Sequence, residues 1–149
     1  MTTDSVGTRE LADQFYTSFF LLNDCYSRWA RKHGLNSTLL FCLYVIVFNP
    51  QPPSPGEIAQ KLSLSKQTVN SALDLLERRG YLTREEAPNN KRSRLVILTP
   101  AGELFAKTLL NDFVQMEDQV FSALPPRDRK SFTRIGAKLA ARLNEVVDA

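Results

Sequence analysis

Chemically reactive side chains are scarce in this chain. Its 149 residues include one histidine, two cysteines and one tryptophan. With His33 alone, neither a histidine-rich metal site nor a histidine-based catalytic triad can be assembled. C-x-x-C and a Gly-rich phosphate loop are also missing from the sequence. The sequence therefore predicts no enzyme, no metal and no cofactor.

Long apolar runs are missing too. The longest, Leu39 to Phe48, has ten residues, about half of the roughly 20 that a membrane-spanning helix needs. The segment from Met1 to Glu10 lacks the basic and apolar regions of a signal peptide, and Cys25 and Cys42 are too few for a disulfide framework. These absences predict a cytoplasmic protein without a membrane partner. The length suits one domain.

Positive charge is concentrated in one part of the chain. Net charge is +3. Between Glu57 and Arg94 there are eight Lys or Arg and five Asp or Glu, whereas the remaining residues carry eleven of each sign. The excess therefore lies in one central segment, as attraction to nucleic-acid phosphates would require.

Helical periodicity is strong on both sides of that segment. A first helix is predicted from about Thr8 to His33, with an apolar stripe at spacings of three and four. A second helix to Phe48 is apolar all round and should be the buried centre. After the segment, helices are predicted from Pro100 to Leu124 and onward to Val147. The unburied stripes predict a homodimer, because a central module of roughly 50 residues cannot cover them.

Two short helices in series begin the central segment. Ser54, Pro55 and Glu57 predict a capped helix start, and a turn at residues 63–65 leads to a second helix that Gly80 ends. Apolar residues of this second helix fall on one side. Amides and hydroxyls, which can contact base edges in the major groove, fall on the other. The residues predicted to bind DNA here are Ser65, Lys66, Gln67, Thr68, Asn70 and Ser71.

A hairpin is predicted next. The strand-like runs 81–87 and 95–99 flank the loop P-N-N-K-R-S-R, in which Asn89 and Asn90 suit a turn. Lys91, Arg92 and Arg94 cluster at its tip. Three cations within four residues can bind phosphates, and an arginine can enter the minor groove. The predicted fold is mainly α, a winged helix-turn-helix with a two-stranded wing and long terminal helices.

The run S-K-Q-T-V-N-S-A-L-D-L-L-E-R-R-G-Y-L-T-R, followed by N-N-K-R-S-R-L-V-I-L-T-P-A-G, resembles the MarR family of transcriptional regulators. The resemblance covers essentially the whole chain. It implies one domain over residues 8–147, with the helix-turn-helix at about 54–79, the wing at about 82–99 and dimerisation helices at about 8–33 and 100–147. It further implies a homodimer on double-stranded DNA, usually a repressor, released by a small molecule or an oxidant.

The resemblance also has a departure and open alternatives. The family usually has Asp-x-Arg in the wing, where this chain reads Asn90-Lys91-Arg92, so the carboxylate that orients neighbouring cations is missing. Family effector pockets lie near the end of the first helix, which suggests Tyr26, Trp29 and His33 as effector contacts, with core packing as the alternative. Some members sense hydroperoxides through a cysteine in that helix, here Cys25, although both cysteines also suit small core positions. A winged helix that binds protein and no DNA is the other alternative.

Overall fold

The computed structural model describes residues 3–149, with side chains from Gly7 onward. Met1 and Thr2, the start of the segment inspected for a signal peptide, lie outside these residues. The fold is mainly helical with one antiparallel hairpin, which confirms the predicted fold class. The elements are α1 (Thr3–Lys32), α2 (Ser37–Phe48), α3 (Pro55–Leu62), α4 (Lys66–Arg78), β1 (Leu82–Ala87), β2 (Asn90–Leu98), α5 (Pro100–Ser122) and α6 (Pro126–Val147).

Local side-chain chemistry sets most helix boundaries. Gly34 has φ +74°, a backbone conformation that suits glycine, and it lies two residues after the end of α1. Asn36 accepts the Leu39 N–H at 2.9 Å and begins α2. Ser54 accepts the Glu57 N–H at 3.1 Å while Glu57 accepts the Ser54 N–H at 2.9 Å, so the predicted capping box of α3 is present. The predicted start of α1 at Thr8 was five residues late.

The chain groups into two compact units, one extending to Lys107 and the other beginning at Thr108. In the first, α2 contacts α1, α3 and α4, and six of its twelve residues are buried. Its last two residues, Val47 and Phe48, are exposed, so the predicted burial of α2 is right except at this end. The segment between α2 and α3 is joined to the hairpin, because Val96 of β2 donates its N–H to the Pro53 carbonyl at 2.8 Å.

The junction between the hairpin and α5 is tightly packed. Thr99 donates from Oγ1 to the Gly80 carbonyl at 2.6 Å and accepts the Gly102 N–H at 3.0 Å. Its own N–H donates to the Tyr81 carbonyl at 3.0 Å. The Tyr81 and Phe105 rings stack with centroids 4.4 Å apart. A Cβ built on Gly102 would lie 1.8 Å from the Tyr81 carbonyl oxygen, so only glycine fits there.

The second unit contains the rest of α5 and all of α6. Helix α5 ends at Ser122, and Arg129 of α6 donates to the carbonyls of Ser122 and Leu124 at 2.9 and 2.7 Å. These bonds satisfy carbonyls at the helix end. None of the α6 side chains is buried, and its apolar face is open to solvent. Within the described residues, no helix is long and apolar enough to cross a bilayer.

Candidate nucleic-acid interface

Helix α4 has one buried and one polar side, as its sequence predicts. Val69, Ala72, Leu73 and Leu76 are buried. On the opposite side Lys66, Gln67 and Ser71 are exposed and Asn70 is half-buried. We call the surface formed by these four polar residues the reading face. The turn before it is tight, since Ser63 has φ +51° and Leu64 donates its N–H to the Ala59 carbonyl at 3.0 Å.

Three predicted DNA-binding side chains also serve the helix itself. Ser65 accepts the Thr68 N–H at 3.1 Å as the N-cap, and the two hydroxyls are hydrogen-bonded at 2.8 Å. Ser71 donates to the Gln67 carbonyl at 3.0 Å. By contrast, the side-chain amides of Gln67 and Asn70 have no hydrogen-bond partner among the residues that the structure describes. These two amides are therefore the groups of the reading face best placed to accept an external partner.

A cleft of about 410 Å³ separates the reading face from the start of α2. Asn36 and Thr38 of the α2 N-terminus line it opposite Gln67 and Ser71. Sequence reasoning missed both residues as neighbours of the reading face. The N-cap signal at Asn36 marks a helix start, but only the packing of α2 against α4 brings that start close to the reading face.

The hairpin differs from its prediction at the tip. The turn is Pro88-Asn89, and Ala87 pairs directly with Asn90. The predicted loop from Pro88 to Arg94 is therefore wrong beyond Asn89, because β2 already begins at Asn90. The register shifts between Glu86 and Ala87, and residues 91–93 form the extra segment. Lys91, Arg92 and Arg94 are all exposed on this strand.

Two local bonds organise the wing. The Asn90 side-chain oxygen accepts the Arg92 N–H at 3.0 Å, so an amide oxygen can orient this backbone where the family's carboxylate is missing. Arg94 donates to the Arg84 carbonyl at 3.3 Å and pairs across the strands with Glu86. Lys91 and Arg92 are therefore more available to an external anion than Arg94 is.

The distribution of charge is more uneven than the sequence total suggests. Outside residues 57–94 the charges cancel, yet α6 carries six basic and two acidic residues, whereas α5 carries one basic and four acidic. The second unit thus joins an acidic helix to a basic one. The net excess of positive charge lies between Glu57 and Arg94, as the sequence predicts, and α6 adds a second local concentration of basic residues.

The three aromatic residues suggested as effector contacts are half-buried. The Trp29 and His33 rings stack at 3.9 Å, and the His33 Nδ1 lies 2.9 Å from the Trp29 carbonyl oxygen. Tyr26 contacts Phe41 of α2, with ring centroids 5.7 Å apart. All three residues therefore support packing within α1 or between α1 and α2. Their assignment to an effector stays a prediction.

The two cysteines have different environments. Cys42 is buried in α2, and burial raises the pKa of its thiol to about 11. Cys25 is exposed, so the expectation that both are core residues is wrong for Cys25. Arg28 donates to Cys25 Sγ at 3.3 Å and to Asp24 at 2.7 Å. The bond to Asp24 is the main cause that raises the pKa of Arg28, so its charge is already paired.

These environments predict unequal thiol reactivity. In the native protein, Ellman's reagent should modify Cys25 at least about 100-fold faster than Cys42, because the thiolate is the reactive species and Cys42 is buried and protonated. Cys25→Ser should remove the fast phase and Cys42→Ser should leave it unchanged. Equal modification rates for the two thiols would contradict this prediction.

The burial of Cys42 also predicts a pH dependence of stability. Because burial raises the pKa of this thiol from 9.0 to about 11, the folded protein holds its proton more tightly than the unfolded chain does. The free energy of unfolding should therefore decrease as the pH rises from 9 towards 11.

Comparison with known proteins agrees with this geometry. A model of the MarR family matches residues 33–93. The transcriptional repressor MprA of Escherichia coli is 26% identical over 121 residues, which cover 80% of this chain and 69% of the relative.

 The structure of NMB1585, a MarR family regulator from Neisseria meningitidis, is 30% identical, with a TM-score of 0.74 and coverage of 91% of this chain and 92% of that one. Sco3205, a MarR family transcriptional regulator from Streptomyces coelicolor in complex with DNA, is 24% identical, with a TM-score of 0.80 and coverage of 94% and 88%.

Fold and site together define a winged-helix regulator, with a capped helix, a tight turn, a second helix with a polar exposed face, and a basic hairpin. The match to the Neisseria protein extends over nearly all of both chains. The chain belongs to the MarR family of transcriptional regulators.

Proposed function

We propose that this protein is a sequence-specific DNA-binding regulator that acts as a dimeric repressor. The observation that carries the proposal is the reading face on α4, whose opposite side packs in the core. Two of its side-chain amides, those of Gln67 and Asn70, have no hydrogen-bond partner among the described residues. Amides of Asn and Gln can bond adenine bidentately in the major groove. In this proposal residues 8–147 act as one functional domain.

Helix and wing take different parts in binding. Gln67 and Asn70 contact base edges, while Lys66 and the hydroxyls of Ser65, Thr68 and Ser71 contact bases or nearby phosphates. In the wing, Lys91 and Arg94 bind phosphates, and Arg92 enters a narrow minor groove. The DNA complex of Sco3205 and the repressor role in the name of MprA support binding to DNA and repression.

Exposed apolar faces support the dimer. On α1, Leu11, Phe15, Phe19 and Leu22 are between 40% and 67% exposed. On α6, five apolar residues at helical spacing are between 41% and 60% exposed, namely Phe132, Ile135, Leu139, Leu143 and Val146. Surfaces of this kind mark association sites. A second copy packed on these faces would bury well over about 2,000 Å² in total, as obligate interfaces do. The resulting dimer would bind two half-sites whose centres are about 10 base pairs apart.

Release from DNA is assigned to a small-molecule effector at Tyr26, Trp29 and His33. A partly exposed aromatic cluster that joins α1 to α2 offers apolar contact area and a few polar atoms, as small-molecule sites do. The alternative is release by oxidation of Cys25, whose thiol is exposed and contacts Arg28. Because salicylate is bound in a structure of Staphylococcus aureus MarR, thermal shifts with aromatic acids, compared with thermal shifts after peroxide treatment, distinguish these two routes.

Selection from a random-site duplex library tests the proposed function. We expect a single enriched pseudo-palindrome at physiological salt, with two half-sites related by the dimer axis. Recovery of no enriched motif would reject sequence-specific DNA binding. That result would favour the alternative of a winged helix that binds protein.

Substitutions in the helix and in the wing should have different effects on DNA binding. Gln67→Ala or Asn70→Ala should cost about 1–3 kcal/mol on the selected site and little on scrambled DNA, because a base contact is lost. Lys91→Ala should weaken binding to both duplexes and reduce the salt slope by roughly 0.9, because one phosphate contact is lost. Arg94→Ala should have a smaller effect, since its side chain is already bonded to Arg84.

A salt titration of affinity on both duplexes measures these effects. Lys107→Ala in α5, which removes a cation outside the helix-turn-helix and the wing, is the matched control and should leave both affinities close to wild type. The wing variants could instead lose the preference for the selected site over scrambled DNA, while the helix variants bind both duplexes equally more weakly. That result would show that the roles of helix and wing are assigned the wrong way round.

A further inference from the structure

Arg84 of β1 joins the wing to α4, the helix that carries the reading face and that we call the recognition helix. Its Nη2 donates to Asp74 Oδ1 at 2.6 Å and to the Asn70 carbonyl at 3.3 Å. Its Nη1 lies 4.0 Å from Glu77 Oε2. The three partners follow one another at spacings of four and three, so they lie on one side of α4. A single guanidinium therefore spans two turns of this helix.

The environment of Arg84 differs from that of a solubilising arginine. Its side chain is only 20% exposed. Within residues 3–149 its Nε is buried and has no hydrogen-bond partner, which is an unfavourable state for a donor. The two Nη atoms of the same guanidinium, by contrast, contact α4. Other ion pairs of the described chain, such as Arg9 with Asp13, join neighbouring turns of one helix and are well exposed.

The strand partners of Arg84 extend this connection through the wing. Arg84 pairs with Val96 of β2, whose N–H bonds the Pro53 carbonyl. The Arg84 carbonyl accepts from Arg94 at 3.3 Å. The orientation of both strands is therefore coupled to one side chain that contacts α4. The same contact offsets the charge of Asp74, a carboxylate on the recognition helix that would otherwise repel DNA phosphates.

We propose that Arg84 is a positioning residue that fixes the wing against α4 and so sets the position of Lys91 and Arg92 relative to the reading face. The effect on DNA binding rests on the proposed function, whereas the attachment of the wing to α4 does not. Arginine suits the role because its planar fork can bond two acceptors at once, whereas lysine supplies only a point charge.

The first test needs no DNA. Trypsin cleaves after Lys91 and Arg92, and a wing released from α4 should be cleaved faster. We expect Arg84→Gln and Asp74→Asn each to raise the cleavage rate at these bonds at least about fivefold, with Arg84→Lys intermediate. Arg79→Gln is the matched control, because Arg79 lies at the end of α4 and bonds the Gly34 carbonyl without contacting the wing. Circular dichroism checks that each variant is folded.

The second test uses the selected DNA site. Arg84→Gln should lower the ratio of specific to scrambled affinity at least about fivefold, whereas Arg79→Gln should leave that ratio close to wild type. Unchanged cleavage in both Arg84→Gln and Asp74→Asn overturns the inference, as does faster cleavage in Arg84→Gln alone, since packing and not the ion pair would then hold the wing. If Arg84→Gln does not fold, the cleavage rates of Asp74→Asn and Arg84→Lys test the inference in its place. Failure to find any DNA site rejects the proposed function and leaves the cleavage result to be judged separately.

Discussion

Gly102→Ala is expected to destabilise the protein by at least about 3 kcal/mol, the upper part of the range for overpacked sites. The added Cβ would lie 1.8 Å from the Tyr81 carbonyl oxygen and 2.7 Å from its carbon. These are backbone atoms, so no side-chain rotation relieves the clash. The carbonyl also accepts the Thr99 N–H, and a shift of Tyr81 would disturb the stacked Phe105. Thermal unfolding should show a decrease in Tm of about 6 °C or more.

Gly7→Ala is the matched control for this prediction. Gly7 is also helical, but a Cβ built there meets no atom within 4 Å. Alanine has the higher helix propensity, so this variant should unfold at the wild-type temperature or slightly above it. A Gly102→Ala variant with wild-type Tm would mean that α5 does not begin against Tyr81 as described.

Leu139→Glu is expected to convert the proposed dimer to a monomer. Leu139 lies in the middle of the apolar face of α6 and is 41% exposed in the single chain. A buried unpaired carboxylate would be costly in a dimer interface, whereas the isolated chain can keep the same side chain in water. Light scattering should give a mass near 16.9 kDa in place of twice that value. Affinity for a palindromic site should decrease about 100-fold or more, because the two half-sites are no longer bound together.

Lys138→Glu is the control for the dimer prediction. It introduces the same residue one position earlier, on the basic side of α6. Circular dichroism should show both variants folded, and only Leu139→Glu should change the mass. A wild-type protein that is itself monomeric at micromolar concentration would contradict the dimer, and a Lys138→Glu monomer would show that the basic side is part of the interface.

Local signals made much of the fold predictable from the sequence. The capping box at Ser54 depends on residues within a few positions, and the structure has it. The apolar side of α4 followed from its period. The tip of the wing was predicted wrongly because three nearby cations suggested a solvated loop. Strand pairing between Ala87 and Asn90 instead extends β2 through them.

Contacts between distant residues were not predictable in the same way. Arg84 and Asp74 are ten positions apart and lie on different elements, so no periodicity or motif associates them. The environment of Cys25 was also misjudged, because its position beside an apolar stripe does not reveal what covers that stripe. The proposed DNA-contact residues rest on side-chain chemistry alone. The structure adds which of their polar atoms are already bonded within the chain.

On α4, the groups that hold the wing differ from the groups that are free to contact DNA, which matters for redesign and for divergence within the family. The wing is attached through Asp74, Glu77 and the backbone carbonyl of Asn70, whereas Gln67 and the Asn70 side chain are not part of that attachment. Under the proposed function, operator preference can therefore be altered at Gln67 and Asn70 while the contacts between the wing and α4 stay unchanged. A library varied at these two positions should yield folded regulators with new target sequences at a much higher frequency than a library varied at positions 74 and 77.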